Sequence, residues 1–442
     1  MSTDLPRRIG FWGGSAIMIG IIIGTGIFVV PPPIAKELGH PGLLLGLWVV
    51  GGILSLFGAL VYAELATLFP RSGGMYVYLN EGLGSRVAFT FGWTYLLLSK
   101  PFAAAAVSII LATHVNALFG TSWNPDAIAG VAIVVLTGIN VITVKGSSVL
   151  AIVLTSLKVL ALAAIVALGI VLTKGSAGNF ASVPVGKPLW MAFAPVMYGI
   201  LWTYDGWADV SAISGEVNEP GRQLPRILLM GVSATIVLYV AVNTVYFSLV
   251  PVQEMARLDT VAPLVMERLI GPSGARVVTA IIVISTLGAG HAAILTGARV
   301  TFAQARDGLL FRFLGRVHPK FETPDVSLWV QAVLAMVAIF YLRKFKDLSE
   351  GYGFTVWIFH GLVAASLMIL RSRRPDVERP YKCWGYPWVP IVFIVICVGM
   401  TVAYIANAPG KTLPWLGVLF LGIPAHALWK WRTKSSERTM SP

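Results

Sequence analysis

The chain has 442 residues, of which 56% are hydrophobic and only 12% charged, and its mean hydropathy is +0.78. A soluble protein of this length is less apolar, so we expect a polytopic, all-α integral membrane protein. The net charge of +13 does not indicate a nucleic-acid partner, because the basic residues sort by membrane side, as described below.

Apolar stretches of about 20 residues predict the membrane spans, taken in chain order. The twelve predicted spans are 11–38, 43–68, 87–112, 126–143, 147–173, 190–214, 227–250, 274–304, 326–342, 352–370, 386–408 and 413–430. An even number of spans places both termini on one side. The connections are short, so we expect one integral membrane domain over 1–442, with spans 1–6 in 9–214, spans 7–10 in 227–370 and spans 11–12 in 386–430.

The distribution of Lys and Arg predicts the orientation in the membrane. Twenty-one of the 33 fall in the loops and ends on the side of the termini, ten fall in the opposite loops, and Lys100 and Lys158 fall within spans. Cytoplasmic loops carry the excess of Lys and Arg. We therefore expect cytoplasmic termini in a plasma or inner membrane protein.

The first span contains a glycine-rich interruption, from Ile21 to Phe28, with Gly24-Thr25-Gly26 at its centre. Hydrocarbon cannot satisfy free backbone groups, so unwound backbone at that depth lies beside a cavity or packed protein. Free amides on one half-helix suit an anionic group and free carbonyls on the other suit a cation, which together suit an amino acid zwitterion. Glycines also allow close helix packing, so packing is the alternative interpretation.

The sixth span has a second interruption, in residues 201–207, with Pro195 upstream and Gly215 downstream. Breaks in two spans that are five apart are typical of a five-plus-five inverted repeat, with a binding site at the midplane. We therefore expect discontinuous helices 1 and 6 around one site.

Asp205 lies at the second break, where an acidic side chain costs about 2.5–3.5 kcal/mol on insertion scales and marks a pathway or a paired charge. It could meet a substrate cation or pair with a lysine across the bundle. Trp202 precedes it and could cover a ligand or simply pack in the core.

Three further polar residues lie within spans. Lys158 is too deep to snorkel, and it could replace a bound sodium ion or, alternatively, carry a proton. Lys100 is interpreted as a structural charge. His291 could titrate near neutral pH, but it is more simply a hydrogen-bonded residue of the bundle.

Residues 305–314, after the eighth span, predict a short amphipathic helix at the inner interface, with Leu310, Phe313 and Leu314 facing lipid. The polar start of the chain carries no cleavable leader pattern, so the first span should be retained. The two cysteines, Cys383 and Cys397, indicate neither a disulfide framework nor a metal site.

Other function classes need features that we do not find in the sequence. An enzyme would need a nucleophile and base, or a metal cluster, within the spans, so no catalytic residue, metal or cofactor is expected. A channel would need a repeated pore lining. A sensor that does not transport stays open, although no signalling domain is attached.

Five motifs in order resemble the amino acid–polyamine–organocation superfamily, most closely its L-type amino acid transporter branch in prokaryotic form. They cover residues 9 to 382 and are Ile22–Phe28, Pro70–Tyr78, Trp202–Trp207, Glu216–Pro220 with Leu224-Pro225, and Arg374–Pro380. The resemblance implies the fold of that superfamily, an L-amino acid as substrate and alternating access.

The resemblance also implies roles for individual residues. It places the substrate carboxylate on the amides of Thr25 and Gly26, beside Gly24, and the amino group on the carbonyls of Ile22 and Trp202. Trp202 would be the gating aromatic, Asp205 would admit cationic side chains, and Lys158 would stand at the sodium site of sodium-coupled relatives. By a looser alignment, the side-chain walls would be Ala103, Val107, Tyr352, Phe354 and Trp357.

Residues 114–126, between the third and fourth spans, depart from the animal members of this branch, which carry a cysteine there for a glycoprotein subunit. No covalent heavy subunit is therefore expected. We expect a sodium-independent exchanger of neutral and cationic L-amino acids. The alternative is a proton-coupled symporter in which Lys158 or His291 titrates.

Overall fold

The computed structural model describes residues 5–142, 144–172, 175–183, 188–342, 345–407 and 409–440. These residues form α-helices and contain no β-strand, only an isolated bridge between Ile9 and Val217. The α-helices are α1 (Phe11–Ile22), α2 (Gly26–Val29), α3 (Pro31–Glu37), α4 (Pro41–Leu68), α5 (Met75–Leu83), α6 (Ser85–Thr94), α7 (Lys100–Phe119), α8 (Pro125–Ile142), α9 (Val144–Val171), α10 (Leu189–Tyr204), α11 (Pro220–Leu249), α12 (Val252–Met255), α13 (Ala262–Ile270), α14 (Pro272–Arg306), α15 (Asp325–Leu342), α16 (Phe345–Arg373), α17 (Trp388–Asn407) and α18 (Pro409–Met440).

The helices fall on the predicted spans. Span 1 is α1 to α3, span 2 is α4, span 3 is α6 and α7 joined by a π-helical turn (Tyr95–Ser99), span 4 is α8, span 5 is α9, span 6 is α10 with a 3-10 segment (Trp207–Glu216), span 7 is α11, span 8 is α14, and spans 9 to 12 are α15 to α18.

Ten segments among the described residues are long and apolar enough to cross a membrane. The two predicted spans outside that set are span 9, which gives a shorter apolar helix, and span 6, where α10 stops after 16 residues at the break. The all-helical membrane fold is confirmed, whereas the count of twelve stays a prediction.

The packing of several pairs of spans follows the symmetry of a five-plus-five repeat. Spans 2 and 7, 3 and 8, and 4 and 9 pack on one another. Spans 3 and 4 pack together as spans 8 and 9 do, and spans 3 and 10 as spans 8 and 5 do. If spans 1 to 5 are exchanged with spans 6 to 10 in order, each of these pairs becomes itself or another pair in the set. The same exchange places span 1 opposite span 6.

A buried ion pair joins spans 6 and 8 at the end that lies beside the N-terminal segment. Arg299 of α14 donates from Nε and Nη2 to the two carboxylate oxygens of Glu216, at 2.9 and 3.1 Å, and both side chains are fully buried. The Glu216 carbonyl also accepts the N–H of Arg8 at 2.9 Å. The start of span 1 and the end of span 6 are thus held together at this side.

A second buried carboxylate, that of Glu64 in α4, binds groups from the end of α16 and from the loop before span 11. It accepts hydrogen bonds from Arg371 at 2.6 Å and from the Cys383 N–H at 2.6 Å, and it lies 3.1 Å from Arg379. Burial and this carboxylate raise the pKa of the Cys383 thiol to about 12. Since the thiolate is the reactive form, this cysteine is protected from oxidation.

The predicted amphipathic helix over residues 305–314 is wrong. The long helix α14 ends at Arg306, and only a 3-10 turn (Arg312–Gly315) follows. Leu310 and Leu314 are buried in a small core with Ala305, whereas Phe313 alone is exposed. Packing against α14 therefore orients these leucines inward.

Candidate functional site

The two breaks lie against each other. Span 1 unwinds between Ile22 and Gly26, and span 6 unwinds between Tyr204 and Trp207. A Cβ added at Gly26 would stand 2.7 Å from Thr203 Cγ2, so glycine is required for this approach. The structure thus brings together the two interruptions that the sequence predicts to be neighbours.

A cavity lies between the breaks and the middle of spans 3 and 8. It is lined by Ile21, Ile22, Gly24, Thr25, Gly26, Lys100, Ala103, Ala106, Val107, Trp202, Thr203, Asp205, Gly206, Asp209, Ala289 and Ala293. Its volume is about 70 Å³. Since one water needs roughly 10–15 Å³, this space suits several waters or a small ligand.

Most of the predicted substrate-binding residues line this cavity, namely Ile22, Gly24, Thr25, Gly26, Ala103, Val107, Trp202 and Asp205. Trp357 is buried but is not among the lining residues, and its ring packs against His360 and Phe393 instead. The side chains of Tyr352 and Phe354 lie outside the described residues.

Thr25 carries a direct indication of a ligand. Its hydroxyl is buried and has no hydrogen-bond partner among the described residues, although the residue lines the cavity. A buried hydroxyl without a partner costs free energy, so such a group in a native protein usually meets a water or a bound molecule.

The carbonyls of the breaks are already engaged by protein groups. Ile22 O accepts from the Tyr239 hydroxyl at 2.7 Å and from Gly24 N at 2.8 Å, and Trp202 O accepts from Asp205 N at 3.2 Å. A carbonyl has two lone pairs. An ammonium at Ile22 O would therefore replace the Tyr239 hydroxyl, and its binding there stays a prediction.

Lys158 lies under the break in span 1. Its fully buried ammonium donates to Gly20 O at 2.7 Å and Ile23 O at 2.9 Å. These are carbonyls at the end of α1, where a cation is favoured by the helix dipole. The Ser285 hydroxyl reaches Ile23 O and Gly24 O at 3.2 and 3.0 Å.

The sequence analysis missed one charged pair in the cavity wall. Lys100 forms an ion pair with Asp209, and the Tyr95 hydroxyl lies 3.4 Å from the same carboxylate. Asp209 follows Asp205 by four residues, which could have indicated a second acid near the site. The sequence does predict Lys100 as a structural charge, but it does not identify the partner, because Asp209 is distant in the chain.

His291 does not line the cavity. It is fully buried in α14, and neither ring nitrogen has a hydrogen-bond partner among the described residues, so the expected hydrogen bond in the bundle is not present there.

A small-ligand cavity at two broken spans, within a repeat of membrane helices, defines a secondary transporter. The chain belongs to the amino acid permease family, whose model matches residues 9–423. This confirms the resemblance to the superfamily inferred from the motifs.

Similar proteins include transporters from animals and bacteria. The b(0,+)-type amino acid transporter 1 of Mus musculus is 31% identical, covering 92% of this chain and 84% of its own. The cystine/glutamate transporter of Homo sapiens is 30% identical over 96% and 85%, and the serine/threonine exchanger SteT of Bacillus subtilis (strain 168) is 30% identical over 88% and 89%.

Substituting the two glycines of the first break tests whether contact between the breaks matters. Gly26→Ala should strongly reduce transport and lower the yield of folded protein, because the new methyl group would overlap Thr203. Gly24→Ala is the matched control for folding, since its Cβ would make an ordinary 3.5 Å contact with Ala289. The measurement is monodisperse yield in detergent followed by uptake; equal yields and equal uptake for the two variants would contradict this assignment.

Proposed function

We propose that the protein is a sodium-independent exchanger of neutral and cationic L-amino acids that works by alternating access. The observation that carries the proposal is the cavity shared by the two broken spans, where Thr25 has an unpartnered hydroxyl and Asp205 lines the wall. The substrate carboxylate would bind the amides of Thr25 and Gly26. The relatives named above are amino acid transporters, one of them an exchanger by name.

The contacts at the two ends of the cavity support alternating access. On the predicted outer side, Val261 N–H donates to Phe28 O of α2 at 3.2 Å. On the predicted inner side, Ile9 N–H donates to Glu216 O at 2.9 Å. Each bond ties one end of the broken pair to a neighbouring segment, so opening either side would require a different set of contacts to separate.

The ammonium of Lys158 supports sodium independence. It occupies two carbonyls of span 1 that a monovalent cation would otherwise bind, and it is held by hydrogen bonds of 2.7 and 2.9 Å. A fixed ammonium there supplies the charge of a bound ion in every conformation that keeps these contacts. An exchanger and a symporter in which Lys158 titrates would differ in their response to a proton gradient.

The protein would reside in the plasma or inner membrane with both termini in the cytoplasm. It would act without a covalent heavy subunit, since residues 114–126 contain no cysteine. Its single transporter domain would be the whole chain.

Uptake of labelled amino acids into proteoliposomes tests the proposal. We expect uptake only into vesicles preloaded with unlabelled amino acid, and no effect of sodium or of an inward proton gradient. Because exchange needs a substrate on both sides, empty vesicles should stay at background. Gradient-driven accumulation in empty vesicles would contradict exchange and establish the symporter.

Lys158→Gln should lower exchange by at least about tenfold, because hydrogen bonds to a charged group contribute roughly 1.5–3 kcal/mol each. Exposed Lys36, also in span 1, offers a matched control, and Lys36→Gln should leave exchange unchanged. Initial exchange rates normalised to reconstituted protein measure the effect. A normal exchange rate in the Lys158 variant would remove the fixed-charge role.

A further inference from the structure

A buried histidine stands behind the acidic wall of the cavity. His360 of α16 is 1% exposed, and its Nδ1 is hydrogen bonded to the Tyr62 hydroxyl at 2.9 Å. Its Nε2 has no hydrogen bond among the described residues and lies 3.6 Å from Asp205 Oδ1. The indole of Trp207 stacks on the ring at 5.0 Å, which fixes its orientation.

The charges of the cavity wall separate into two sets. Asp209 is balanced by Lys100, with which it forms an ion pair of two largely buried side chains. Asp205 faces His360 instead. With Lys100 and Asp209 cancelling, the formal charge of this wall is minus one when His360 is neutral and zero when His360 is protonated.

The other titratable groups around His360 do not change the formal charge of the cavity wall. They are Tyr62 of α4, Tyr78 of α5 against Tyr62, Tyr95 of span 3 and Cys397 of α17. Buried phenols and thiols stay neutral between pH 5 and 8, because burial disfavours their charged forms. Among the side chains that the structure describes, the charged groups that face His360 are thus Asp205, Asp209 and Lys100.

We propose that His360 sets the charge of the side-chain subsite, so that its protonation selects between neutral and cationic amino acids. The inference rests on the proposed function and deepens it. Neutral His360 leaves the Asp205 carboxylate to attract the ammonium or guanidinium of a cationic substrate. Protonated His360 occupies that carboxylate and repels a second cation, whereas a neutral side chain is affected less.

Histidine is the side chain whose charge changes most readily between pH 5 and 8. Lysine and arginine substrates keep their side-chain charge throughout this range. A change in preference with pH therefore reports on the protein rather than on the substrate.

The test is exchange in preloaded proteoliposomes with equal pH inside and outside, so that no proton gradient exists. The ratio of arginine exchange to serine exchange is measured from pH 5 to 8. We expect the ratio to rise by at least about fivefold with pH, because losing the positive charge beside Asp205 strengthens the attraction of this carboxylate for a cationic substrate.

His360→Gln should give a ratio that is high and independent of pH. Asp205→Asn should give a ratio that is low at every pH. This variant provides the test if the His360 variant does not fold. His291→Gln is the matched control: it removes another fully buried histidine that does not line the cavity, and it should retain the pH dependence.

The outcomes separate this inference from the proposed function. Exchange with a flat ratio in the unsubstituted protein, or a His360→Gln variant that keeps the pH dependence, would overturn the role of His360 and leave exchange intact. Loss of the pH dependence in His291→Gln would also overturn it, by assigning the titration elsewhere. Absence of exchange of any amino acid would instead reject the proposed function.

Discussion

Hydrocarbon offers no hydrogen bonds, so the two unwound segments can exist only where other protein groups satisfy their backbone. Lys158 and Ser285 donate to carbonyls of the first break, and the Tyr239 hydroxyl donates to Ile22 O while lying 3.4 Å from Thr203 O of span 6. These donors come from spans 5, 7 and 8. The breaks therefore depend on the surrounding bundle as well as on the local glycines.

The same constraint explains why the cavity is polar on one side and apolar on the other. Ala103, Val107 and Ala289 offer small apolar surfaces from spans 3 and 8. The second break instead carries two carboxylates, each facing a basic side chain from another span. In a site of low dielectric, such charges are costly unless paired, which makes the balance among them a means of selecting substrates.

Sequence reasoning predicted the features that depend on composition and on glycine. The spans follow from hydropathy, and the breaks follow from Gly24 and Gly26 and from the polar run around Asp205. The pairing of Lys100 with Asp209 could not be predicted, because it joins residues 109 positions apart. His360 gave no signal either, since its surroundings are built from α4, α17 and the second break, which only the tertiary fold brings together.

The loop after span 8 shows an error of the opposite kind, because here the sequence predicts a feature that the structure does not have. Its apolar spacing suggested a lipid-facing helix, but Leu310 and Leu314 pack against the end of α14. A periodic pattern does not show which surface a segment buries, because lipid and protein are both apolar partners. Trp357, which a looser alignment to the family places in the side-chain wall, packs its ring on His360 in this structure.

The most direct test of a shared site between the two breaks is substrate protection of a cysteine placed in the cavity. In an Ala103→Cys variant, the rate of modification by a small hydrophilic thiol reagent would be measured with and without saturating amino acid. Both native cysteines are buried, and an Ala177→Cys variant in an exposed loop serves as control. Our account predicts that amino acid slows modification at position 103 in proportion to its occupancy and leaves position 177 unaffected. Full modification of position 103 under conditions where the same variant exchanges amino acids would contradict it.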